Sequence, residues 1–148
     1  MHVALAADHA GFELKDALKR VLDELEVTYH DFGTSSPASV DYPDLAEVVA
    51  RGVAAAQFDR GILVCGSGIG MSIAANKVAG VRAAVVSEVA AARLSRQHND
   101  ANIVAIGARL TPSDRAADIV RAFLTTDFAG GRHAGRLQKI ARIEAGRG

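Results

Sequence analysis

The stretch Arg60–Gly80, RGILVCGSGIGMSIAANKVAG, decides how the rest of the chain is read. Ile62, Leu63 and Val64 form the short apolar run of a buried parallel strand, and Cys65 stands where it stops. Gly66, Ser67, Gly68, Ile69 and Gly70 follow, then small residues at helical spacing from Met71 to Lys77. A strand, a glycine turn and a helix start bring several backbone N–H groups around one point, which suits an anion. Three glycines in five residues exceed what close helix–strand packing alone requires.

The chain has 148 residues, enough for one domain with its own core. Lys plus Arg number 17 and Asp plus Glu number 17, so bulk charge favours neither nucleic acid nor an anionic membrane as partner. A single cysteine forms no intrachain disulfide and fits a reducing cytoplasm. No apolar run approaches membrane-spanning length, and MHVALAADHAG lacks a signal-peptide plan.

Outward from the glycine turn, strand and helix patterns alternate. Strands are expected at Val3–Ala7, Val27–Phe32, Ile62–Cys65, Val81–Val86 and Ile103–Ile106. Helices are expected at Gly11–Leu25, from Pro43 with Asp41 as cap, and over Glu88–Arg96. Another follows Thr111-Pro112-Ser113-Asp114, and a last one runs over Arg132–Ala145. Leu14, Leu18, Val21 and Leu22 mark one inner face, and Leu45, Val48, Val49 and Val53 another. The expected fold is α/β: a doubly wound, Rossmann-like αβα sandwich around a five-stranded parallel sheet, in one domain over 1–148. With the common strand order 2-1-3-4-5, strands one and three flank the reversal point where such folds bind ligands. Asp8-His9 and Cys65-Gly66 would meet there.

Known nucleotide motifs do not fit. Gly66 and Gly68 are followed by Met71 where a dinucleotide fingerprint needs glycine, and no G-K-[ST] is present. Aromatic faces for a flavin are lacking near the strand ends. No H-x-x-H or HExxH pairing points to a metal. Cys65 is the candidate nucleophile or base, since a helix N-terminus favours negative charge beside it. His98-Asn99-Asp100 reads as a helix-to-strand loop. Arg132 and Arg136, four apart, share a helix face and can close on one anionic group. Asp8 also suits a helix-entry cap. His2 and His30 read as structural.

Together ALAADHAGFELK, VDYPD at Val40–Asp44, ILVCGSGIGMSIAANKVAGVRAAV, LSRQHNDANIVAIGAR and GGRHAGR resemble the ribose-5-phosphate isomerase B family, grouped with galactose-6-phosphate isomerase subunits. The resemblance spans nearly the whole chain. It implies a metal-free, cofactor-free isomerase of D-ribose 5-phosphate and D-ribulose 5-phosphate that works as a homodimer or dimer of dimers. It implies Cys65 as the base between C2 and C1, Ser67 as its assisting hydroxyl, and the N–H groups of Gly66, Gly68, Ile69 and Gly70 as oxyanion donors. It implies His98 as the ring-opening group with Asp8 as partner, and Tyr42 and Asn99 in the sugar pocket. His9, Arg109, Arg132, His133 and Arg136 match phosphate contacts. Met71 stands where another branch carries a glutamate base, which implies the cysteine branch. The alternatives are another aldose phosphate as substrate, or a non-catalytic sugar-phosphate binder. Leu137, Ile140 and Ile143 give the last helix an apolar stripe. It is expected to pack on a partner subunit, so that Cys65 of one chain would work with Arg132 and Arg136 of the other.

Overall fold

The computed structural model describes residues 1–146. Strands β1 (His2–Ala7), β2 (Thr28–Asp31), β3 (Arg60–Cys65), β4 (Ala83–Val85) and β5 (Ile103–Gly107) are joined through helices α1 (Phe12–Glu24), α2 (Tyr42–Ala54), α3 (Ile69–Ala75), α4 (Val89–Asn99) and α5 (Ser113–Thr125); α6 (Arg132–Ala145) follows α5. The five strands form one parallel sheet. Residues Val3–Ala7 and Ile103–Ile106 are fully buried, because helices cover both faces of the sheet. Leu14, Leu18, Val21, Leu22, Ile119 and Phe123 pack α1 and α5 on one face. Ala46, Val49, Val53, Met71 and Ala75 pack α2 and α3 on the other.

The strand order is β2-β1-β3-β5-β4, not 2-1-3-4-5. β1 and β3 are neighbours as expected, but β5 takes the inner place. IVAIG is buried along its whole length, whereas β4 contributes only Ala83–Val85, half-buried to exposed, which suits an edge. Two asparagines fasten that edge. Asn76 Nδ2 donates to Ala83 O at 2.9 Å while its Oδ1 accepts from Ala83 N–H at 2.8 Å. Asn102 Oδ1 accepts from Arg82 N–H at 2.8 Å and its Nδ2 donates to Gly80 O at 2.9 Å.

Three local expectations change. α2 is turned so that Ala46 and Ala50 face the sheet with Val49 and Val53, leaving Val48 exposed and Leu45 half-buried. Asp41 holds the cap position of α2, but its side chain makes no capping bond; Thr111 does not cap α5 either, since Pro112 occupies that position. α4 runs one turn further than Arg96 and takes in His98 and Asn99, ending at Asp100 in a left-handed conformation (φ 44°). Arg96 secures this end, donating to Asp100 Oδ1 at 2.8 Å and Ala101 O at 2.6 Å.

α6 stands apart from the sandwich. His133 is its one buried residue among those described, and Ile140 and Ile143 are exposed. No described helix is long and apolar enough to cross a membrane.

Candidate active site

A cavity of about 560 Å³ opens at the carboxyl edge of the sheet, above the β1–β3 pair. Cys65 closes its floor, and the turn residues Gly66, Ser67, Ile69 and Gly70 form one side. Asp8, Tyr42 and Arg109 complete the polar wall. The thiol is 4% exposed, and the Gly68 N–H donates to its Sγ at 3.1 Å. Gly68 has φ +77°, and a Cβ there would lie 2.9 Å from the Ile106 carbonyl carbon, so glycine is required twice over. This fold-back aims a backbone donor at the sulfur. The Ile69 N–H donates to Ser67 Oγ at 3.2 Å. The N–H groups of Gly68 and Ile69 are therefore engaged inside the turn. Among the described residues, those of Gly66, Ser67 and Gly70 meet no backbone or side-chain acceptor, so they are donors open to a ligand.

The other walls are equally local in origin. Asp8 Oδ1 accepts from the Ala10 and Gly11 N–H groups at 3.0 and 3.1 Å, which fixes the carboxylate at the entry to α1. It is thus both a helix-entry clasp and a cavity residue. Arg109 follows β5, where its N–H donates to Gly66 O at 3.0 Å; its guanidinium lies over Gly66, 3.1 Å from where a Cβ would be. Tyr42 begins α2, and its ring packs on Gly70. His9 does not line this cavity. Its Nδ1 accepts from the Val40 N–H at 3.3 Å, which places the proton of a neutral ring on Nε2 and fastens the loop leading to Tyr42. Ile73 and Leu110 also line the cavity and are exposed. Sequence reading missed both, although Ile73 lies one turn after Ile69. The Met71 side chain is fully buried in the core beneath the turn, so it offers no polar group to a ligand.

His98, Asn99, Arg132, His133 and Arg136 are not at this edge. Cys65 is level with Gly107, whereas α4 delivers the chain into β5 level with Gly61. His98 and Asn99 end α4 and so lie at the amino edge, separated from Cys65 by roughly 15 Å of strand. The expected pairing of His98 with Asp8 is therefore absent within one chain. At the amino edge the His98 and His133 rings stack with centroids 4.3 Å apart and planes at 17°. Arg132 and Arg136 are exposed on α6 beside them. Burial, then the charges of His98, Arg132 and Arg136, hold the His133 imidazole below its ordinary range, which keeps it neutral near pH 7. Asn99 is exposed, and its carbonyl accepts from Arg82 Nε at 3.0 Å. His2 and His30 are structural as expected: His2 stacks on Phe58 at 4.8 Å and His30 packs edge-on to Phe32 at 4.4 Å.

A thiol, a hydroxyl, a carboxylate and a guanidinium around a cavity at the switch point of a parallel sheet define a small-molecule enzyme of the doubly wound α/β class. Comparison with known proteins gives that class its family. Residues 3–140 match the family described as Ribose/Galactose Isomerase, and the chain belongs to it. Ribose-5-phosphate isomerase B of Escherichia coli is 48% identical over 142 residues, 96% of this chain and 95% of that protein. The structure of ribose-5-phosphate isomerase B from Clostridium thermocellum matches with a TM-score of 0.98 at 47% identity, covering 100% of both chains. That of the Mycoplasma genitalium ribose-5-phosphate isomerase B, solved with bound ribulose-5-phosphate, matches with a TM-score of 0.93 at 40% identity, over 97% of this chain and 96% of that one.

Proposed function

We propose that this chain interconverts D-ribose 5-phosphate and D-ribulose 5-phosphate, with the carboxyl-edge cavity holding the reacting carbons. The observation that carries the reading is Cys65, whose sulfur sits at the cavity floor with a backbone N–H aimed at it. The E. coli relative and the M. genitalium protein with its bound ribulose-5-phosphate support the substrate.

The chemistry assigns the groups as follows. The sugar enters as a closed ring, so a proton must leave the C1 hydroxyl and reach the ring oxygen as the ring bond breaks. His98 does this. The Cys65 thiolate then takes the C2 proton of the open aldehyde, and the C2–H electrons form the enediolate, with the charge on O1. The Gly66, Ser67 and Gly70 N–H groups hold that oxygen. The Ser67 hydroxyl helps move a proton from O2 to O1. Cys65 returns its proton to C1, and O2 becomes the ketone oxygen. Asp8 and Tyr42 hold sugar hydroxyls, and Asn99 contributes to the same pocket. His9, Arg109, Arg132 and Arg136 hold the phosphate.

Because Cys65 and His98 lie at opposite edges of the sheet, one chain cannot bring both to one sugar. Two copies can. The working unit is a homodimer, alone or paired again, in which His98, Asn99, Arg132 and Arg136 of the partner subunit complete the cavity of the other chain. The exposed apolar side chains Ile69, Ile73 and Leu110 at the cavity mouth, and Ile140 and Ile143 on α6, suit burial in such a unit. A base that must stay a free thiol fits the cytoplasm.

The test is a panel of aldose phosphates compared by kcat/KM: ribose 5-phosphate, allose 6-phosphate, galactose 6-phosphate and a tetrose phosphate. Ribose 5-phosphate is expected to lead. A different leader replaces the substrate, and saturable binding of these sugars without turnover replaces the reaction by a sensing role.

A further inference from the structure

His133 does not resemble the rest of the phosphate clamp. Arg132 and Arg136 are exposed side chains free to reach an anion, whereas His133 between them is 9% exposed. Among the described residues its ring nitrogens have no hydrogen-bond partner; its backbone N–H donates to Gly130 O at 3.1 Å. What the ring does touch is His98, face to face at 4.3 Å. The charged groups acting on it are His98 from α4 and Arg132 and Arg136 from its own helix, all cations or potential cations. No carboxylate is among them, and a buried ring in that company stays neutral.

A neutral ring is what His98 needs beside it. A group that opens a sugar ring takes a proton and gives one up, so it passes through the imidazolium form. A neutral aromatic face tolerates a cation lying on it; a second imidazolium would repel it. His98 also sits in the last turn of a helix, half-exposed, where nothing else on its own helix fixes its ring. We propose that His133 is a positioning residue, a flat wall that holds the His98 ring in the orientation ring opening requires, and not a phosphate ligand. This rests on the role given to His98 above.

The two sugars separate the possibilities. Ribulose 5-phosphate has its carbonyl at C2 and its C5 oxygen bound to phosphate, so it forms no furanose ring and needs no opening. In His133→Ala, kcat on ribose 5-phosphate is expected to fall by about tenfold to a hundredfold, with KM little changed. Single-turnover conversion of ribulose 5-phosphate should fall much less. His133→Phe, which keeps the flat face and lacks both nitrogens, should restore most of the lost kcat. Thermal melts and subunit mass show whether each variant folds and assembles. If the alanine variant does not, His133→Leu fills the space without a flat face and takes its place against His133→Phe. A phosphate ligand would instead raise KM for both sugars, equally in His133→Ala and His133→Phe, and that result overturns the proposal. Equal losses in both directions, or a phenylalanine variant no better than alanine or leucine, overturn it too. A wild-type chain that turns over neither sugar overturns the isomerase reading, and this one with it; an active wild type with unchanged His133 variants overturns this one alone.

Discussion

Replacing Cys65 by alanine takes away the sulfur and leaves the backbone of the turn, so the fold should survive while proton transfer stops. Exchange of the substrate C2 proton with deuterated solvent is expected to fall by about 10² to 10⁴, the range for one acid–base group. Normal exchange would move the base elsewhere. Two glycines show why distance alone does not predict the outcome of a substitution. A Cβ on Gly70 would lie 2.6 Å from Tyr42 Cζ, and one on Gly11 would lie 2.6 Å from the Val64 carbonyl oxygen. Tyr42 is 39% exposed and can swing out, whereas the Val64 carbonyl belongs to β3 and cannot. Gly70→Ala should therefore keep its melting temperature but lose roughly tenfold in kcat/KM as the ring leaves the cavity wall. Gly11→Ala should cost about 1–3 kcal/mol of stability in urea unfolding.

At the scale of elements, the loop that carries Val40 to Tyr42 depends on a buried cation on α1. Lys15 is fully buried, and its Nζ donates to both Asp31 oxygens at 2.8 and 2.9 Å and to Thr34 O at 2.6 Å. Lys19 meets the other side of the same carboxylate at 2.7 Å. Helix, strand end and loop are thereby joined at one point. Burial alone would raise the Asp31 pKa, but hydrogen bonds from Lys15, Lys19 and the Gly33 N–H outweigh it and hold the group below 3.8. The unfolded chain therefore takes up the proton first as pH falls. The stabilisation is complete above the unfolded value and is lost as pH drops through the lower, folded one. Asp31→Asn should be less stable than wild type at pH 7 and approach it as pH falls through the lowered, folded Asp31 value in urea unfolding. Lys15→Met, which leaves Asp31 with Lys19 alone, should cost about 2 kcal/mol at pH 7.

At the scale of the whole molecule, two half-sites at opposite edges of one sheet make a specific demand on assembly. Cys65→Ala and Arg136→Ala dimers are each expected to be inactive. Mixed under conditions that exchange subunits, half the dimers become mixed, and each of these holds one site with both lesions and one with neither. Activity should return to roughly a quarter of wild type. If each chain instead built its own site, every site would carry a lesion and nothing would return. Exchange proven by mass with no recovered turnover rules the shared site out.

Much of this was legible in the order of residues, for a local reason. The alternation of apolar runs and helical spacing defines strands and helices within a few residues, and that alternation implies a parallel sheet covered on both faces. Covalent adjacency then places Cys65, the glycine turn, Asp8, Tyr42 and Arg109 at carboxyl ends of strands, the edge that such sheets use. His98 was misplaced by the same sequence although its position follows from the same rule: a residue just before a strand lies at the amino edge. Its motif company suggested one pocket, while the direction of α4 sends it to the other. What only the tertiary structure decided is non-local. β5 took the inner place from β4 because burial along its whole length outweighs sequence order. α2 turned its alanines inward because the sheet surface, not the helix's own pattern, selects the face that fits. Gly68 and Ile69 lost their N–H groups to Sγ and Oγ partners that only the folded turn supplies. His133 came to lie on His98 because α6 crosses the end of α4, a contact between side chains 35 positions apart that no local spacing announces.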